Sequence, residues 1–283
     1  MKFYVAPMMD YTNRHFRTLL RLITRKGTLF TEMVVCNTLI HGKNTALALD
    51  ADLDFEGPVV LQLGGCDPGQ MEKASAIAKQ WGFDNININV GCPSAKVSGK
   101  ELCLGSPCPV VALCPHSILC PSLDLSSGAG SFGAVLMKDP HLVADLCIAA
   151  SAATGNAPTV KCRIGVDNQD SYGHLSDFID IVSRRGGVGH FFVHARSAIL
   201  DKSFSPHDNR TIPPLQYDHV YSLVRDFPGV EFTLNGGVVS YEDMYTHTAR
   251  GAHGVMVGRG VIEDPYLYRH VDRLCYGDDE SGE

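Results

Sequence analysis

The stretch NININVGCP, residues 85–93, decides how the rest of the chain is read. Asn85 to Val90 alternates Asn with Ile and Val. A period of two, closed by Gly91 and Pro93, predicts a strand that ends in a turn. The chain then changes character between Gly99 and Ser131, where Cys103, Cys108, Cys114 and Cys120 are each followed closely by a proline. The ordinary pattern resumes at GSFGAVLMKDP, residues 130–140. Chemistry is expected beside the end of this strand, at the place the irregular segment interrupts.

On either side of the strand the same unit recurs. The pattern predicts strands over Phe3 to Met8, Leu29 to Val35, Val59 to Gly64, Thr159 to Ile164, His190 to His194, Glu231 to Leu234 and Gly254 to Val257. Helices are predicted over Asn13 to Ile23, Pro68 to Trp81, Pro140 to Ala153, His174 to Arg185, Tyr217 to Arg225 and Glu242 to Arg250. Eight strands alternating with helices argue for a parallel α/β architecture, and eight units in about 260 residues suit a (β/α)8 TIM barrel. A doubly wound open sheet is the alternative. The barrel is favoured by two features. No GxGxxG follows the first strand. Polar or Gly-rich residues also cluster at many strand ends: Met8-Met9, Gln62, Asn89, Lys161, His194, Asn235 and Arg259. In a barrel these ends converge on one mouth.

Composition sets outer limits. The chain has 283 residues, 45% hydrophobic and 19% charged, which suits a globular α/β domain. No apolar run is long enough to span a bilayer, and MKFYVAPMMD has the form of neither a signal nor a transit peptide. Cytoplasm is therefore the default compartment, with an organelle left open, and a monomer is expected. A net charge of −7 counts mildly against a nucleic-acid partner. Locally, Arg14, Arg17, Arg21, Arg25 and Lys26 recur near helical spacing. They form either a solvated helix face or a strip that contacts phosphate. Of the 10 Cys, six are scattered through apolar segments, as in a reduced protein. The other four are separated by four, five and five residues, unlike the CxxC pairs of zinc sites, so no metal is expected. A loop of about 30 residues is uncommon in a compact domain, so residues 100–130 read as an insertion of the kind a retained intron leaves.

The last two predicted strands end in NGG and GRG. Glycine lets backbone N–H groups approach an anion, and Arg259 adds a charged fork. Either sequence alone is equally a turn; together they suit a phosphate. Lys161 in TVKCRIG is an edge lysine facing water, or a cation in the mouth. His194 in FFVHAR is a satisfied core residue, or its neighbour there. Gln62 suits the edge of a heteroaromatic ring. The set describes a pocket for a phosphorylated, planar, electron-accepting cofactor, for which FMN is the natural candidate.

The segments APMMDYTNRHFR, LFTEMV, VVLQLGG, NININVGCPS-KVSG, GSFGAVLM, VKCRIGVD, FFVHAR, SPHDNRTIPPL, LNGGV and GVMVGRG resemble, in order from Val5 to about Arg269, the tRNA-dihydrouridine synthases, and most their A-type branch. The resemblance implies an FMN-containing (β/α)8 barrel that reduces the C5–C6 double bond of tRNA uridines, with NADPH as electron donor. It implies FMN contacts from Pro7, Met8, Met9, Gln62, Lys161 and His194, with Asn235, Gly236, Gly237, Gly258 and Arg259 at the phosphate. It puts Phe132 near a flipped-out uridine and the SPHDNR loop against tRNA, through Arg210 and through His207, where the family commonly has Lys.

Two departures accompany it. The family's general acid is a Cys in GACLM; here the motif is GAVLM and the position is Val135. Turnover is therefore expected to be impaired, and no catalytic residue is assigned. The barrel is expected over residues 1–272 with an acidic tail over 273–283, so that the family's C-terminal helical domain is largely missing. Two other readings remain: a non-catalytic remnant or RNA-binding barrel, and a small-molecule FMN oxidoreductase of dihydroorotate dehydrogenase type.

Overall fold

A computed structural model describes residues 1–94 and 132–277. The expected insertion, its four cysteines and the end of the expected acidic tail lie outside the described residues. Eight strands form one parallel sheet: β1 (Lys2–Val5), β2 (Leu29–Val35), β3 (Val59–Gly64), β4 (Ile86–Val90), β5 (Thr159–Arg163), β6 (His190–His194), β7 (Glu231–Asn235) and β8 (Gly254–Val257). Their order is β1-β8-β7-β6-β5-β4-β3-β2. The two ends meet: Val5 N donates to Thr28 O at 2.9 Å, and Thr28 N to Phe3 O at 3.0 Å. The ring is therefore closed, and the architecture is a (β/α)8 barrel.

Around it run α1 (Arg14–Ile23), α2 (Cys36–His41), α3 (Pro68–Gln80), α4 (Pro140–Thr154), α5 (Tyr172–Gly186), α6 (Tyr217–Asp226), α7 (Tyr241–Ala249) and α8 (Val271–Tyr276). Their starts are set locally. Asn13, Asp67, Asp139, Ser171 and Ser240 each accept from a backbone N–H of the first turn. No helix among the described residues is long and apolar enough to cross a membrane.

The strand period sorts residues by face. Ile86, Ile88 and Val90 of β4, Val160 and Cys162 of β5, and Phe191 and Val193 of β6 face outward into the core shared with the helices. Tyr4, Ala6, Phe30, Phe192 and Met256 form a separate cluster inside the barrel. Phe192 meets Tyr4 and Phe30 edge-on, with centroids 4.9 and 5.2 Å apart. This aromatic plug closes the lower half of the barrel, so inward-facing groups above it can meet only each other or something entering from the mouth.

The predicted first strand is too long. It ends at Val5, because Pro7 has no N–H to donate and Met8 to Thr12 fold into a tight turn. The arginine strip is a larger correction. Arg17 and Arg21 are only 2% and 6% exposed, so these two belong to neither a solvated face nor a phosphate strip, while Arg14, Arg25 and Lys26 are exposed. Arg17 Nε donates to Glu56 Oε2 at 2.6 Å, and its Nη atoms donate to Thr12 O and Asp50 O. Arg21 is spent on the carbonyls of Glu56, Thr24 and Gly27. Helical spacing placed them on one side correctly, but that side is turned inward, against the loop that holds Glu56.

Removing one member of a buried pair strands the other charge. Arg17→Ala is therefore expected to lower stability to urea by about 3–5 kcal/mol. Arg14→Ala, whose nearest partner Asp50 is exposed and which reaches Glu56 only at 3.8 Å, is expected to change it by less than about 1 kcal/mol. Equal, small losses for both would contradict the burial of Glu56.

Candidate functional site

The mouth is built on inward positions at the C-terminal strand ends. Gln62 on β3 and Asn87 and Asn89 on β4 form a chain of amides. Gln62 Nε2 donates to Asn87 Oδ1 at 2.8 Å, and Asn89 Nδ2 donates to Gln62 Oε1 at 2.9 Å. Asn87 continues to Thr159 Oγ1 on β5 at 2.9 Å. Asn89 Oδ1 accepts from the N–H groups of Gly91 and Cys92, which folds the GCP turn over the strand end. A buried amide without partners is costly, so this chain is fixed as a unit. The alternation of Asn in NININV is thus the signature of an interior polar wall.

Beside this wall stand the cations. Lys161 points inward and donates to Asn235 Oδ1 at 3.1 Å, while Asn235 Nδ2 donates to Met256 O at 2.7 Å. The edge alternative for Lys161 is excluded. Burial, followed by the nearby Arg163 charge, lowers the Lys161 pKa to about 8. Arg163, two residues on and on the same face, is buried and donates to Gly91 O, Ser197 O and Asn209 O, each at 2.9 Å. Burial pushes its pKa down to about 10. His194 lies beside Arg163 on the neighbouring strand β6. Burial first, then Arg163, Lys161, Arg196 and Arg259, hold it well below the ordinary imidazole range, so it is neutral at pH 7. Arg196 donates to Pro213 O. Lys161, Arg163, Arg196, Arg210 and Arg259 form no ion pair among the described residues. In a chain of net charge −7, this concentration of positive charge without carboxylates has the electrostatic character that attracts an anion.

The glycine turns border it. Gly236 and Gly237 take φ of 108° and 76°, a region open to glycine, and Tyr217 Oη donates to Gly236 O at 3.0 Å. A Cβ on Gly236 would stand 2.7 Å from His194 Cδ2, so the turn and the imidazole are in direct contact. Gly258 is different. A Cβ there would meet only Met8 Sδ at 3.8 Å and Ala6 Cβ at 3.9 Å. The space a side chain would fill stays open beside the backbone. Pro7 and Met8 are half-buried there, while Met9 and Arg259 are exposed.

Opposite lies the segment after the irregular stretch. Phe132 is buried over the end of β3, where a Cβ on Gly64 would come within 2.7 Å of its Cε2. Gly133 to Lys138 form a 3-10 turn that carries the half-buried Val135. Ala134 N donates to Cys92 O at 2.8 Å, so the GAVLM and GCP turns are adjacent. Above the mouth the SPHDNR loop is anchored by the fully buried Asn209, which exchanges hydrogen bonds with the Ile199 backbone. That anchor leaves His207 and Arg210 exposed.

Lys161, His194, Asn235, Gly236 and Arg259 are therefore brought together, with Gln62 in the wall and Met8 beside Gly258. His207 and Arg210 share the SPHDNR loop, and Phe132 lies apart from them beside the end of β3. Sequence reasoning missed Arg163 and Arg196. Arg163 had a usable signal, since it shares the inward period of Lys161. Arg196 and Asn209 lie in a loop whose path no periodicity gives. Among the described residues, no cluster of His, Cys, Asp or Glu is arranged to hold a metal.

Comparison with known proteins gives these observations a family. The dihydrouridine synthase family model matches residues 4–106 and 120–281. The break falls within the stretch expected to be an insertion. The tRNA-dihydrouridine(20/20a) synthase of Salmonella typhimurium is 43% identical over 281 residues, covering 99% of this chain and 74% of that protein. Those of Vibrio parahaemolyticus and Escherichia coli K12 are each 42% identical, over 96% and 99% of this chain and 73% and 71% of theirs. With identity of this order along nearly its whole length, the chain belongs to the dihydrouridine synthase family, on its A-type branch.

Proposed function

We propose that this chain reduces the C5–C6 double bond of uridines in tRNA, with FMN held in the barrel mouth and NADPH as the electron donor. The observation that carries the reading is the group of five cations without carboxylate partners around an open glycine turn. The family is one of flavin-dependent oxidoreductases, and the relatives named above act, by their names, on tRNA. FMN fits the residues present. Its phosphate suits Arg259 and the backbone at Asn235, Gly236, Gly237 and Gly258. Its ring suits the space between Pro7, Met8 and Met9 and the wall formed by Gln62, Lys161 and His194. Bound there, FMN supplies the hydride equivalent the reaction needs.

The chain's own groups account for the rest. Lys161 gives a positive charge inside the barrel, where an electron-rich ring or an anion is stabilised most strongly. His194, held neutral, acts as a hydrogen-bond partner rather than as a second cation. Phe132, His207 and Arg210 stand around the entrance, where a uridine would leave its stack to reach the ring. Val135 stands at the position of the family's general acid and has no proton to give. We read this as slowing the protonation step rather than abolishing binding. The small-molecule reading of dihydroorotate dehydrogenase type is disfavoured by the exposed SPHDNR loop. The barrel without turnover is favoured by Val135 alone.

Incubation with a tRNA transcript and NADPH, followed by nucleoside mass spectrometry, tests the reading. Dihydrouridine is expected to form slowly, and Val135→Cys is expected to raise the rate by about 10²–10⁴. No product from either protein, although both hold flavin, would favour the non-catalytic reading. A second expectation follows from Lys161. An electron-rich ring against Lys161 favours the charged lysine, so flavin affinity should be full below about pH 8 and fall as the pH rises through that value. Lys161→Met should remove that dependence in a fluorescence titration; an unchanged pH profile would rule out Lys161 as the titrating contact.

A further inference from the structure

The turn after β1 displays two large side chains, and the site described above leaves one of them, Tyr11, unexplained. Tyr11 is 49% exposed and Met9 55% exposed, at the edge of the mouth. Exposed apolar residues are common singly. Here, however, the backbone that displays them is built for it. Tyr11 N and Thr12 N both donate to Met8 O, at 3.2 and 2.9 Å. Thr12 Oγ1 accepts from Met8 N at 3.0 Å and donates to Met8 O at 3.1 Å. Thr12 is fully buried, and its own carbonyl is held by Arg17. Asp10 takes φ of 67°, an uncommon conformation for a non-glycine residue, and its N–H donates to Glu32 Oε1 at 2.5 Å. A turn fixed at this many points holds the backbone that carries Tyr11 in place at the edge of the mouth.

The surroundings indicate what the ring meets. The Tyr11 hydroxyl has no hydrogen-bond partner among the described residues. The phenol lies within electrostatic reach of the exposed Arg210 guanidinium. Ile212, two residues beyond Arg210, is 60% exposed. The rim thus pairs flat and apolar groups with an unpaired cation, the combination that holds single-stranded nucleic acid by stacking its bases and contacting its backbone.

The geometry points to Tyr11 as a stacking platform for the nucleotide next to the uridine admitted to the mouth, with Arg210 on the intervening phosphate. This rests on the tRNA reading proposed above and adds a substrate-binding residue to it. Stacking is tolerant of base identity, so Tyr11 would hold the strand in place without selecting its sequence.

The test uses the flavin-loaded full chain, with fluorescence anisotropy of a labelled tRNA transcript for affinity and absorbance for flavin content. Tyr11→Ala should weaken tRNA binding about 10- to 100-fold, in line with the loss of one base–aromatic stack, with flavin content unchanged. Tyr11→Phe and Tyr11→Trp should keep the affinity, because the ring and not the hydroxyl is used. Tyr245→Ala, a tyrosine of equal exposure on α7, should have no effect. Wild-type affinity in Tyr11→Ala would overturn the inference. So would loss of flavin in Tyr11→Ala, which would make the role structural, or a loss in Tyr11→Phe as large as in Tyr11→Ala. Absence of tRNA binding by the wild-type protein would instead remove the proposed function.

Discussion

Lys161 and Arg163 stand two residues apart on the inward face of one strand, and neither is paired with a carboxylate. That arrangement constrains everything around it. A buried cation needs compensation, and here it comes from neutral oxygens: the Asn235 amide for Lys161 and three backbone carbonyls for Arg163. Those carbonyls belong to Gly91, Ser197 and Asn209, so one guanidinium ties together the loops after β4 and β6. Neutral oxygens satisfy hydrogen bonds but leave the charge in place. The result is a field directed at the mouth, sealed from below by the Tyr4, Phe30 and Phe192 plug.

The same constraint separates support from display. Arg163 and Asn209 fix the SPHDNR loop from inside and leave Arg210 outside. Arg17 and Glu56 fix the turn after β1 from inside and leave Tyr11 and Met9 outside. In both loops a buried polar anchor lies within a residue or two of an exposed group. The rim is therefore rigid where it carries side chains toward a partner, which lowers the entropy lost on binding.

Much of this was legible before any coordinates. The period of two in NININV, TVKCRIG and FFVHAR gave both the strands and the side of each residue, because every strand of a barrel must sort its side chains between two interiors of different character. Lys161, His194, Asn235 and Arg259 were recognisable as strand-end residues for the same reason. The arginines of α1 were not. Helical spacing reports which residues share a face, but whether a charged face is wet depends on a partner. Glu56 lies 39 residues from Arg17, on a short helix with too few residues to show a period. Arg196 and Asn209 were hidden because loop paths follow long-range hydrogen bonds and not local pattern.

On the proposed reading, the charge at the mouth serves an anion carried on a flavin. Titration of the flavin-free protein with FMN and with riboflavin, which share a ring and differ by the phosphate, tests it most directly. The account predicts much tighter binding of FMN, a gap that shrinks as salt is raised and that Arg259→Ala largely removes. Equal affinity for the two flavins would contradict it, leaving Arg259 and the glycine turns beside it without the phosphate assigned to them.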